Sequence, residues 1–390
     1  EDYRNEATYY TCLKIISEGL GKMPVRLMRR DGRGGSVTCY DKQIYDILAL
    51  RPNPYQAATV FWSDMERMRL HFGNAYAWIR GSGTAHDPMS LWVMPHNEVD
   101  VWWDETCLLA DVPDVYYRWS HGGTMMVLKS SEVIHLRSSE TVDGIMGIPV
   151  IERLGGVVEG SIKSQKFQNE LVASGMTSKA VLQYTADLNP EMVEKFTSRI
   201  DDYAKGRIGG RSDGKIIPIP VGTQLTPLNL KLTDAQFMEL KKYSAVQIAS
   251  AFGIKPQQIG DMTKQSYASS QAQQEAFYTD TMLYIIRQYE DELTYKLLSP
   301  RMRNAGHFIQ ADSSVVLRSD FKTQVEANKT AIESGQMYPN EGRARLGLPS
   351  DPDGDVLLGN GNLIPIGMAG QQYVRDAGGG DESGNEQASD

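Results

Sequence analysis

Four residue patterns in this chain could do chemistry, and each stops short of it. Gly210-Arg211-Ser212-Asp213-Gly214 has the G-x-S-x-G spacing that exposes a serine nucleophile on a tight turn between a strand and a helix. Here a helix and loop precede the motif and a proline-broken strand follows, so it reads as a solvated loop. Asp351-Pro352-Asp353-Gly354-Asp355 carries carboxylates at calcium-loop spacing. Val356 stands where that loop requires its glycine and no acid closes it, which leaves a polar turn. The histidines, His71, His86, His96, His121, His135 and His307, fall singly with no pair at ligand spacing, and a lone histidine in a strand such as His135 reads as structural. Trp102 and Trp103 could stack bases; in an alternating strand one ring is expected in the core and the other at an interface. The phosphate-cradling G-x-x-x-x-G-K-[ST] is absent, since Gly19-Leu20-Gly21-Lys22 lacks both the loop length and the hydroxyl. These patterns predict no catalytic residue, no metal and no cofactor.

The stretch Ile259 to Ala276, IGDMTKQSYASSQAQQEA, is marked by the opposite property. The chain is 23% charged, yet the ten residues from Gln265 to Gln274 carry no charge. They are small or amide-bearing, with Tyr267 the one bulky side chain, so they suit a surface that touches a partner without gripping it. Connectors of more than about twelve residues between helices are usually functional or disordered.

At 390 residues, with 41% hydrophobic and 9% aromatic content, the chain has room for two or three domains with ordinary cores. Cys12, Cys39 and Cys107 are odd in number and lack C-x-x-C spacing, which argues against a disulfide framework or zinc cluster and for a reducing compartment. No run approaches the ~18 apolar residues of a membrane span, and the first ten residues lack a signal peptide's pattern, so a soluble, non-secreted protein is expected. A formal net charge of −9 argues against tight, sequence-independent DNA binding through a basic patch. It is compatible with a protein past which DNA slides.

The elements that would position these residues change texture midway, giving an α+β chain. Glu6 to Leu20 is apolar at helical spacing through Cys12, Ile15, Ile16 and Leu20, and a hairpin should follow around DGRGG. A short helix holding Ile44, Ile47 and Leu48, capped by Asp41, ends at Arg51-Pro52-Asn53-Pro54, and a longer one runs from about Ala57 to Phe72. Short β-rich runs then extend to Arg137. From Gly147 long helices take over: Ile151, Leu154, Val158, Ile162, Phe167 and Leu171 form one stripe stopped by Gly175. Ala180 to Tyr184 is a strand candidate, and Asn189-Pro190-Glu191 starts a helix burying Val193, Phe196, Ile200 and Tyr203. Capping boxes at Thr233-x-x-Gln236 and Ser270-x-x-Gln273 open helices over Asp234 to Phe252 and Gln271 to Leu298. The second should carry Tyr278, Met282, Ile285, Tyr289, Leu293 and Leu297 on one face. A strand pair is expected around HFIQ and SVVLRSD, then helices over Phe321 to Ser334 and Asn340 to Leu346, and a low-complexity Gly, Ser and acidic tail expected to be disordered.

In this order the chain resembles the portal proteins of tailed double-stranded DNA bacteriophages, in the branch of the long-tailed, lambda-like phages. The resemblance rests on RPNPYQAATVFW from Arg51, GNAYAWI from Gly73, VIHLR from Val133, DGIMGIPVIE from Asp143, the segment Asp234 to Asp261, and PNEGRARLGLP from Pro339. It implies a subunit of a ring, usually dodecameric, at one capsid vertex, which admits and releases double-stranded DNA and meets the major capsid protein, the terminase and the head-to-tail adaptor. It implies a wing over 1–146, stem helices over 147–175 and 232–256, a clip over 176–231, and a tunnel loop over 257–270. A long helix with strands returning to the wing would follow over 271–320, then a crown over 321–375 and a tail over 376–390. Channel-lining residues would be Met262, Lys264, Gln265, Ser266, Tyr267 and Ser269; partner contacts in the clip, Arg207, Arg211 and Lys215; ring contacts in the stem, Phe167 and Ile248. An uncharged wall would let DNA move, because each cation that releases counterions from phosphate is a trap along its path. The other readings of the same residues are a nucleic-acid-modifying enzyme, which needs a metal or nucleophile constellation, and a soluble adaptor using its amphipathic helices.

Overall fold

The computed structural model describes residues 3–30, 35–40, 42–81, 87–103, 115–142, 144–173, 180–184, 191, 194–195, 198, 223–227, 234–260, 276–312, 321–346 and 348–358. Residues 1–313 and 314–390 form two units.

In the first unit, helix α1 (Ala7–Gly21) begins where the Glu6 carboxylate accepts the Tyr9 amide at 2.6 Å. Its inward face holds Tyr9, Cys12, Leu13, Ile16 and Leu20, all buried. Strands β1 (Val25–Arg30) and β2 (Ser36–Thr38) form the expected hairpin, pairing Met28 with Thr38 and Arg30 with Ser36. Helix α2 (Gln43–Ala49) buries Ile44, Ile47 and Leu48. Helix α3 (Ala58–Phe72) lies against α1 and buries Phe61, Trp62, Met65 and Leu70.

Strands β3 (Asn74–Gly81), β4 (Pro88–Met94), β5 (Val99–Trp103), β6 (Val115–His121), β7 (Thr124–Lys129) and β8 (Val133–Arg137) build two antiparallel three-stranded sheets, ordered β4-β3-β8 and β5-β6-β7. Alternation puts Tyr76, Met94, Val99, Tyr117, Trp119, Leu128 and Val133 into one cluster shared by both sheets. Neither ring of the Trp102-Trp103 pair enters this core. Trp103 is half-buried, and Trp102 is exposed beneath the Arg118 guanidinium, 4.9 Å from the ring centre. A small ladder, β9 (Thr141–Val142) with β10 (Met146–Gly147), leads into helix α4 (Val150–Ala173). Strands β11 (Ala180–Tyr184) and β12 (Thr223–Pro227) pair antiparallel, Ala180 opposite Pro227, and helix α5 (Asp234–Ala251) follows.

The chain re-enters the described fold at Ala276, and its stripe departs from the expected α-helical one. Tyr278–Met282 is a π-helix, in which the Leu283 amide donates to the Tyr278 carbonyl five residues back. Helix α6 (Leu283–Leu297) continues from it and buries Ile285, Tyr289, Leu293 and Leu297 as expected, but upstream Phe277 is buried while Tyr278 is half-buried. After helix α7 (Pro300–Asn304), strand β13 (His307–Ala311) pairs with β1, Val25 opposite Ala311. The expected neighbour, Ser314 to Asp320, lies outside the described residues. So does most of the helix expected after Asn189.

In the second unit, helix α8 (Phe321–Glu333) ends before Gly335 in the left-handed region, and helix α9 (Pro339–Arg345) follows. Asn340 holds the DPDGD segment as a polar turn: its Nδ2 donates to the Asp351 carbonyl and to Asp355 Oδ1, both at 2.8 Å, and its Oδ1 accepts the Asp351 amide at 2.7 Å. The carboxylate of Asp351 accepts the Asp353 amide at 3.1 Å. Two of the three acids therefore serve the turn.

Candidate functional site

Helix α4 leaves the core and α5 returns to it. Leu154 and Val158 in the first half of α4 are buried, as are Ile248 and Ala249 near the end of α5 and Phe252 just beyond it. At 1.5 Å per residue the 24-residue α4 is about 36 Å long. The Ser161 hydroxyl ties it to the body by donating to Glu6 at 3.0 Å. Past Val158 on α4, and before Ile248 on α5, no described side chain is buried. There the helices are joined by Lys241, whose Nζ donates to Gln165 Oε1 at 2.5 Å, and they present two large side chains to solvent: Phe167, 52% exposed, and Tyr243, 63% exposed. Bulky side chains exposed on helices that outrun their own core are candidates for contact with another molecule.

The two expected ring contacts therefore part company. Phe167 is on the exposed section. Ile248 is enclosed by the subunit's own core, where the end of α5 packs on α1 and the Phe252 ring meets Tyr9 edge-on at 5.5 Å. Apolar periodicity finds a face of a helix but not what covers it, and it passed over Tyr243, which stands off the buried face.

The root of α4 is held by polar groups. Asn74 pairs with Gly147 as another strand would: its Oδ1 accepts the Gly147 amide at 2.8 Å and its Nδ2 donates to the Gly147 carbonyl at 2.9 Å. Glycine is required on both sides of this joint. Gly73 has φ of +76° and a Cβ there would lie 2.4 Å from the Gly147 carbonyl oxygen, while a Cβ on Gly147 would lie 2.1 Å from that of Gly73. His135 is 3.0 Å from Asn74 Oδ1 through Nε2 and 3.0 Å from the Tyr117 hydroxyl through Nδ1. Burial, reinforced by the charges of Arg137 and Lys296, holds its pKa well below the ordinary histidine value. The ring is neutral, so Nε2–H donates to Asn74 and Nδ1 accepts from Tyr117. Beside it the buried Arg69 forks onto Glu66 at 2.6 and 2.8 Å, donates to the Arg137 carbonyl at 3.1 Å, and Glu66 accepts the Tyr289 hydroxyl at 3.0 Å. A buried pair so completely hydrogen-bonded serves geometry more than net stability. It ties α3, β8 and α6 into one frame from which α4 projects.

The third part is the foot of the segment that joins α5 to α6. Gly253 ends α5 with φ of +70°, its carbonyl accepts from Thr281 Oγ1 at 2.8 Å, and Lys255 pairs with Asp280 at 3.4 Å. A 3-10 turn, Pro256–Ile259, then ends at Gly260 with φ of +92°. Met262, Lys264, Gln265, Ser266, Tyr267 and Ser269, expected along the channel, lie outside the described residues, as do Arg207, Arg211 and Lys215 of the expected clip. Among the described residues no three His, Cys, Asp or Glu side chains gather to hold a metal, and no helix is long and apolar enough to cross a membrane.

These features can be set beside known proteins. The family model described as Phage portal protein matches residues 7–347. The portal protein of Enterobacteria phage HK97 is 22% identical over 363 residues, covering 92% of this chain and 82% of that protein. The crystal structure of an HK97-family phage portal protein from Corynebacterium diphtheriae superposes with a TM-score of 0.59 at 11% identity, over 82% of this chain and 96% of that one. A chain from the neck of a native gene transfer agent particle, determined with C12 symmetry, superposes with a TM-score of 0.54 at 21% identity, over 88% of this chain and 90% of that one. Since the family match runs from the start of α1 to the end of α9, the chain belongs to the phage portal protein family.

Proposed function

We propose that this chain is the subunit of a portal ring, twelve copies around a channel at one capsid vertex of a virion, through which double-stranded DNA enters during packaging and leaves on ejection. The observation that carries this reading is the projecting pair α4 and α5, whose distal halves expose Phe167 and Tyr243 with no core of their own to cover them. Side-by-side copies of the subunit would cover both. The C12 symmetry of the structurally similar neck chain supports twelve as the number. In this reading residues 176–231 form the end that docks the terminase and later the head-to-tail adaptor, and the outer sheets meet the major capsid protein. The segment 257–270 faces the DNA, and its role is to pass the duplex rather than to bind it.

The test is to add charge where the segment has none. Changing Gln265, Ser266 and Ser269 to arginine introduces three cations per subunit, each able to hold a phosphate and release counterions. Rings should assemble normally while packaging slows or stalls, with partial recovery as added salt screens the attraction. Lys264→Ala should be nearly silent. Packaging by the triple variant at the parent's rate in low salt would take the segment out of the channel.

A further inference from the structure

The π-helix at the foot of this segment holds one residue more than an α-helix of the same length would. Its effect on packing is specific. In the π register Phe277 stands five residues before the fully buried Met282 and is itself buried, 3% exposed, whereas Tyr278 is half-buried beside it with the two ring centres 5.4 Å apart. In an α register the residue stacked over Met282 would be four before it, which is Tyr278. Tyr278 also completes the period-matched stripe through Ile285, Tyr289, Leu293 and Leu297. Two aromatic rings of nearly equal size therefore compete for one buried site, each favoured by a different helical register.

We propose that Tyr278–Met282 is a one-residue register switch, in which Phe277 and Tyr278 exchange places in the same site as the π-helix converts to α. The conversion leaves α6 fixed by Tyr289, Leu293 and Leu297, all 2% exposed or less. It moves the chain before Tyr278 by about 1.5 Å along the helix and turns it by about 100°. The described ties that such a movement strains are Thr281 to the Gly253 carbonyl and Lys255 to Asp280, which fasten this turn to the end of α5. Exchange between two discrete packings of neighbouring side chains is how small shifts at an element's end are passed to the segment beyond it. The inference concerns packing within one subunit, so it stands or falls independently of the ring.

Tyrosine nitration by tetranitromethane, read residue by residue by mass spectrometry, tests it. In Phe277→Ala the α register becomes the one that fills the site, so Tyr278 should be drawn in and its nitration should fall about fivefold or more, as expected for a population shift between two states. Tyr289, fully enclosed, reports that the fold is intact, and Tyr55, 82% exposed and on no proposed interface, reports that the reagent is active. Unchanged or increased nitration at Tyr278 with Tyr289 still protected would overturn the proposal. Should Phe277→Ala not fold, deletion of Thr279 carries the test. It removes the surplus residue, leaves Phe277 four before Met282 in α phase, and is expected to fold with Tyr289 protected and Tyr278 at least as reactive as in the parent. Loss of Tyr289 protection in that deletion, or a fall in Tyr278 nitration, would equally contradict a switch.

Discussion

Tyr243 and Ile248 lie five residues apart on α5 and meet opposite surroundings, one open to solvent and the other fully enclosed. Their substitutions should therefore separate association from folding. Tyr243→Asp, alone or with Phe167→Asp, should leave the subunit's melting behaviour close to the parent's and shift large particles toward monomer in light scattering, whereas Ile248→Ala should cost about 2–5 kcal/mol of subunit stability. A melting loss from Tyr243→Asp equal to that from Ile248→Ala would contradict this division. His135 supplies a second test. Its folded pKa lies below the unfolded value near 6.5, so the unfolded chain binds the extra proton. Its contribution is fully present above that pH and is lost as pH falls toward the folded pKa, at a rate of up to about 1.4 kcal/mol per pH unit. Glu292, raised by burial, opposes this on acidification; Tyr117, Arg137, Lys296 and His96 also face the ring. Comparison with His135→Gln isolates the histidine: between pH 6.5 and 5 the parent should lose stability more steeply than the variant, and parallel curves would contradict a neutral, buried ring.

Among the elements, the chain between α4 and α5, which includes the paired strands β11 and β12, carries the partner contacts in the proposed function. Replacing Arg207, Arg211 and Lys215 with serine should leave rings intact and weaken terminase and adaptor binding, measured by co-sedimentation; undiminished binding would move the docking surface elsewhere. Much of this level was legible in the sequence, because long helices declare themselves by period and by their stops. Gly73, Gly253 and Gly335 all take the positive φ that ends a helix. The hairpin at β1 and β2 and the DPDGD turn were legible for the same local reason. What local pattern could not convey was long-range choice. Strand β13 joins β1 from nearly the far end of the unit, and nothing within either strand names its partner. The stripe through Tyr278 fits an α-helix, yet an extra residue is accommodated where the turn is pinned to Gly253 and Lys255. The joint of Asn74, His135 and Gly147 has no sequence spacing to betray it, since its members are 61 and 73 residues from Asn74. Burial of a polar side chain is decided by the fold around it.

As a whole molecule, the chain in the proposed function works as a ring and not as an enzyme or a soluble adaptor. Twelve copies of the 43.4 kDa chain come to about 520 kDa, so the ring differs from the other two readings by an order of magnitude in particle size. Electron microscopy of the purified protein, with Tyr243→Asp prepared alongside, tests this most directly. Rings of twelve subunits with a central channel are expected for the parent, and their loss in the variant. Uniform single-subunit particles from the parent across a range of concentration and salt would contradict it.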